Sequence, residues 1–176
     1  MYILLVLKET VFPIPLTGDM VEMMREGRTF MSGVNLIPMY FGPLISTPTI
    51  KAVLVTSILN IILTIPFGFG VNFIARLRAK NFVWLAIGVG FGIESIQLVI
   101  SLILGFPYRS LDINDVLFNA LGVLIGYGFF KFFAWLYLAI TQQFRIQHSG
   151  LPAYIYEVVS RDKVSSEKPK IMKLSA

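Results

Sequence analysis

The sequence predicts an all-α integral membrane protein: a bundle of three full transmembrane helices, a partial or truncated fourth at the amino terminus, and an outer interfacial helix. Two observations predict it. The 176 residues are 56% hydrophobic with a mean hydropathy of +0.75 and only 14% charged, which leaves too little polar surface to cover a globule in water. Three predominantly apolar runs, Ile50 to Ile74, Phe82 to Phe106 and Asn114 to Ile140, each exceed the about 20 helical residues that cross a hydrocarbon core roughly 30 Å thick.

At the amino terminus Met1 to Leu7 is apolar, but Lys8 and Glu9 follow at once. The run to Phe12 would rise only about 18 Å as a helix, too short to span unaided. It has no basic leader and no small-residue cleavage site, so it does not read as a signal peptide. It is either a half-crossing packed against the other helices or the remainder of a span that begins upstream, and the second reading is favoured because lipid-facing segments seldom stop short.

The next stretch, Pro13 to Thr49, is a long loop with internal signals. Asp19 followed by Glu22 fits a helix capping box. Met20, Met23, Met24, Phe30 and Met31 then form an apolar face opposite Arg25, Glu26 and Arg28, which reads as a helix lying in the membrane interface. Pro13, Pro15, Pro38, Pro43 and Pro48 break the chain repeatedly, so the segment from Asn35 to Pro43 is expected to be ordered but irregular. Asn35 stands among apolar neighbours there, either as a turn-former satisfying its own backbone or as part of a binding site.

In the first full span, Asn60 lies about 15 Å from the outer end at 1.5 Å per residue. Pro66 and Gly68, near the inner end, predict a kink, since proline removes one helical hydrogen bond. Glu94, on the antiparallel second span, lies at a similar depth, and Gln97 is its neighbour one turn outward. A lone carboxylate so deep costs about 3 kcal/mol or more unless protonated or partnered, and no helix cap explains it. The third span opens with Asp112, Asp115 and Asn119 on one helical stripe, which Gly122 and Gly126 continue as a small-xxx-small packing pattern. Arg109 is close enough to pair with Asp112, and both acids sit where the helix dipole favours negative charge, so a cap plus a surface ion pair is an alternative to a pocket for this group.

Orientation follows from the excess of Lys and Arg in cytoplasmic loops. Arg76, Arg78 and Lys80 form one acid-free basic loop, and the tail carries Arg145, Arg161, Lys163, Lys168, Lys170 and Lys173, which places both inside. Topology thus accounts for the net charge of +5 without nucleic acid. Two units are expected: a transmembrane domain over residues 1–140 and a partly disordered cytoplasmic tail over residues 141–176, in which Leu151 to Tyr156 packs on the inner membrane face. The chain has no cysteine and a single histidine, His148, in the tail. Disulfides, thiol nucleophiles, Cys-ligated metals and an outer Ser-His-Asp triad are therefore excluded, and no cofactor or bound metal is expected.

The order Asn35-Leu36-Ile37-Pro38, Asn60 with Pro66-Phe67-Gly68, Glu94-x-x-Gln97, and Arg109-x-x-Asp112-x-x-Asp115-x-x-x-Asn119-x-x-Gly122-x-x-x-Gly126 resembles the VanZ-like family of bacterial membrane proteins. The resemblance covers about Thr10 to Gly128, and the last cluster is its specific part. Met39 and Thr64 stand where such proteins often carry Phe. The family is named for an accessory glycopeptide-resistance protein that lowers susceptibility to teicoplanin, a lipid-tailed glycopeptide. The resemblance implies a multi-pass protein of the bacterial cell membrane, and the basic residues place its carboxyl terminus in the cytoplasm. By depth and topology Asn35, Asn60, Glu94, Gln97, Arg109, Asp112, Asp115 and Asn119 all fall in the outer half of the membrane or just above it, and they are expected to form a polar pocket open to the outer leaflet. Its partner would be a membrane lipid, a lipid-linked cell-wall component or a lipoglycopeptide. The alternative from another class is an intramembrane enzyme acting on a lipid-linked precursor, with Glu94 or Asp115 as acid or base and Arg109 on an anionic head group. A third is an ion or proton path built on Glu94.

Overall fold

The computed structural model describes residues 2, 4, 6, 8, 14, 17–26, 34–42, 47–75, 77, 79–144 and 149–160. In chain order the elements are α1 (Gly18–Arg25), β1 (Val34–Asn35), α2 (Thr47–Ile74), α3 (Ala79–Leu104), β2 (Leu111–Asp112), α4 (Ile113–Gln143) and a terminal helix, α5, over residues 151–160. Tyr2, Leu4, Val6 and Lys8 are also helical. Three helices, α2, α3 and α4, are long and apolar enough to cross a membrane. They agree with the three expected spans except at their ends. The second stops at Leu104 rather than Phe106, because Gly105 turns the chain with φ +76° and Pro107 follows.

The spans bury little of themselves. Leu54, Ile58, Trp84, Val99, Ile103 and Phe132 are all exposed, as side chains facing lipid must be. What is buried lies along α4, which is sandwiched between α2 and α3. Gly68 of α2 opposes Val123 O, Gly122 opposes Ile61 O and Thr64, and Gly126 opposes Ile65 O, each so closely that a Cβ would collide. Gly90 on α3 approaches Val116 O in the same way. Gly68, Gly122 and Gly126 thus bring α2 and α4 together backbone to backbone, Gly90 brings α3 onto α4, and the Thr64 hydroxyl adds a hydrogen bond of 2.9 Å to Asn119 O across the α2–α4 seam.

Pro66 lies inside α2, which continues through it to Ile74. The Tyr2 hydroxyl stands at this turn, donating to Leu63 O and accepting from Phe67 N at 3.2 Å. A side chain inserted at a proline-weakened turn satisfies backbone groups that lipid could not. It also seats the amino-terminal helical residues against α2.

Two expectations are corrected. The capping box does not form: α1 begins at Gly18, its cap is Thr17, and no side chain caps it. Asp19 lies in the first turn, where its charge still favours the helix dipole. In the segment from Asn35 to Pro43, residues 36–42 are irregular as expected, but Asn35 belongs to a two-residue strand with Val34 that pairs in parallel with Leu111–Asp112. Phe30 and Met31 of the expected interfacial face, and His148, lie outside the described residues. At the other end of the bundle, α5 folds back on α2 and α4. Val159 is fully buried in a cluster with Phe130, Ala134 and Leu138, and the Tyr154 hydroxyl donates to Phe73 O.

Candidate functional site

The parallel pairing of β1 with β2 brings residues 34–42 across the amino-terminal end of α4. Asp112 caps that helix: its Oδ1 accepts from Asn114 N at 2.8 Å. The same oxygen accepts from Asn35 Nδ2 at 2.9 Å, and Asn35 Nδ2 also reaches Tyr40 O at 2.9 Å. Asn35 Oδ1 takes Ile37 N at 3.1 Å, so this residue is both the turn-former and the link to the acidic cluster. Asn114, only 2% exposed, holds the other end of the segment, accepting from Met39 N at 2.6 Å and donating to Tyr40 O at 2.8 Å. Met39 sits between these bonds with φ +61°, a left-handed conformation that costs a β-carbon residue about 1 kcal/mol or more. We refer to residues 34–42 as the strap.

Between the strap, the first turns of α2 and the start of α4 lies a cavity of about 640 Å³. Asn35, Ser110, Asp112, Asn114 and Asp115 supply its polar wall, with Thr56 and Ser57 from α2. Val34, Leu36, Ile37, Phe41 and Val53 supply the apolar one. A cavity so divided suits a ligand that is itself part polar and part apolar.

Behind that wall lies a second, buried polar layer. Glu94 is 7% exposed, and its Oε2 accepts from Asp112 N at 3.2 Å, tying α3 to the strand that starts α4. Its Oε1 has no hydrogen-bond partner among the described residues, nor do Asn119 Oδ1 and Asn60 Nδ2. Asp115 stands within electrostatic reach of Glu94 and faces Asn60, so it interacts with both of the residues expected at equal depth. Arg109 acts on both carboxylates. Gln97 is buried at 4% exposure, one turn along α3 from Glu94. Beside them, burial pushes the Tyr108 phenol up from its ordinary value despite the opposing Arg109 charge, which keeps it a neutral hydroxyl.

Of the eight expected pocket residues, Asn35, Asp112 and Asp115 line the cavity, whereas Asn60, Glu94, Gln97, Arg109 and Asn119 are not among its lining residues. Asn114 and Tyr108 were not expected. The only sequence signal for Asn114 was an amide at the mouth of an apolar run, and Tyr108 looked like one more interfacial aromatic.

A family model described as VanZ/LLP1 matches residues 1–134, which takes in the amino-terminal helical residues, the strap, α2, α3 and most of α4. The chain belongs to the VanZ/LLP1 family. No curated protein and no solved structure matches it. Every residue of the cavity wall and of the buried layer falls within the VanZ/LLP1 region, whereas α5 lies beyond it.

Proposed function

We propose that this VanZ/LLP1 protein uses the cavity beneath the strap to bind a lipid-linked or lipid-tailed amphiphile from the outer leaflet, and so lowers susceptibility to lipoglycopeptides such as teicoplanin. The observation that carries the reading is the divided cavity wall at the end of the spans. Asp112 and Asp115 offer acceptors to the amine, amide or sugar hydroxyl groups of a head group, while Leu36, Ile37, Phe41 and Val53 offer an apolar side to its tail. In apolar surroundings such hydrogen bonds discriminate strongly, because a ligand that leaves one unpaired loses about 1–3 kcal/mol. Capture of the drug's tail, or of the envelope lipid presented to it, would produce protection.

The test is the inhibitory concentration of teicoplanin, with untailed vancomycin as control, in a susceptible Gram-positive host expressing the chain. We expect selective protection that is lost in Asp115→Asn, at the cavity wall, and in Glu94→Gln, behind it, at unchanged protein level. Full protection in both variants would overturn the assignment of the site.

A further inference from the structure

We infer that the strap is a membrane-inserted element, so that the mouth of the cavity opens sideways to lipid rather than outward to water. The residues that rim the cavity are also among the most exposed on the protein. Leu36 is 74% exposed, Ile37 63% and Tyr40 51%, and all three line the cavity. Met39, at the tip between them, is 64% exposed. Residues 34–42 contain no charged side chain. A run of large apolar groups presented to water at the tip of a turn would be an unusual surface, and one presented to acyl chains would not.

The strap's position makes lipid its occupant. On α2 the cavity is walled by Ala52, Val53, Thr56 and Ser57, which lie within the stretch able to span a membrane. Leu54, Val55 and Ile58 on the same turns are exposed, as are Leu102 and Ile103 at the end of α3. The apolar strap tip therefore continues a lipid-facing surface already provided by two spans. Its irregular backbone is tolerated at that level because Asn35 and Asn114 satisfy Ile37 N, Met39 N and Tyr40 O. The left-handed Met39 allows the turn to keep its peptide groups toward these amides while its side chains point away. This placement does not require the amphiphile reading. It states how any ligand would enter, past an apolar rim and from within the leaflet.

The absence of cysteine lets the inference be tested directly. Leu36→Cys and Ile37→Cys, each carrying a nitroxide label, would be reconstituted as the full chain in vesicles of phosphatidylethanolamine and phosphatidylglycerol. Their accessibility to oxygen and to a water-soluble nickel chelate would then be compared. Leu121→Cys, exposed about two turns into α4, is the lipid reference, and Ser149→Cys, exposed beyond its far end, is the water reference. We expect oxygen-to-nickel ratios at the strap several-fold above Ser149→Cys and approaching Leu121→Cys. Ratios equal to the water reference at both strap positions would overturn the inference. Because the two positions are independent and both exposed, a folding failure in one leaves the other to decide, and either result stands whatever the resistance assay shows.

Discussion

At the residue scale the chemistry of the site rests on amides more than on its acids. Asp112 and Asp115 were legible because carboxylates near a membrane-spanning run stand out by their cost. Asn114 was not, because its partners are backbone atoms 74 and 75 positions away, and nothing in a residue type announces a distant carbonyl. Thr64 was equally silent, since its bond is to the main chain of Asn119. Asn114 pairs with a donor and an acceptor on consecutive residues of the strap and so holds Met39 in its left-handed state. Asn114→Ala removes both bonds, and Met39 N loses its side-chain partner while Tyr40 O keeps Asn35. The expected cost is about 1–2 kcal/mol. It is read as a lowered unfolding midpoint in detergent, accompanied by faster proteolysis near residue 39. Asn35→Ala removes three bonds of its own but leaves Met39 N paired with Asn114, so it should not speed proteolysis near residue 39 as Asn114→Ala does. An Asn114→Ala protein as stable and as protease-resistant as the parent would refute the clamp.

At the scale of elements, composition and length were enough to locate the three spans, and a small-xxx-small pattern was enough to find the packing face of α4. The pattern could not say which helix approaches which glycine, nor single out Gly90, which pairs with Ala86 at the same spacing but stands beside Gly88 and Gly92, at which a Cβ would meet nothing. The structure makes these glycines distinguishable from their neighbours. A methyl at Gly126 meets Ile65 O and, at 2.8 Å, Phe69 N; one at Gly128, half a turn away on the same helix, meets nothing within 4 Å. Gly126→Ala and Gly68→Ala should therefore force α2 and α4 apart, at a cost of about 1–3 kcal/mol or more for overpacking against backbone that cannot rotate away. Gly128→Ala should be neutral or stabilising by up to about 1 kcal/mol through helix propensity alone. Unfolding midpoints of the purified variants in one detergent check the contrast. Equal loss at Gly126 and Gly128 would mean that α2 does not cross α4 at this point.

Across the whole molecule the packing sets α5 at one end of the bundle and the acids of the site at the other, which gives the proposed orientation a direct test. Lys80 lies in the first turn of α3, just after the connection from α2, and α5 closes against Phe69 and Phe73 near the end of α2 and against Phe130, Ala134 and Leu138 of α4, so Lys80 and α5 share one end of the bundle. Asp112 and Asp115 occupy the opposite end, at the start of α4. Sequence alone could place both basic regions on one side only by the charge rule; nothing in it announced that the helix over residues 151–160 would bury Val159 completely against α4. The proposed orientation, with the basic end cytoplasmic by the charge rule, turns the cavity toward the outer leaflet, which the proposed function requires. A fluorescent protein fused after Ala176 should then light up in bacterial cells, and alkaline phosphatase fused at the same point should stay inactive, since the first matures in the cytoplasm and the second only beyond the membrane. An active phosphatase fusion would invert the molecule, turn the cavity toward the cytoplasmic leaflet, and remove the drug in the medium from its reach while leaving the fold and the strap unchanged.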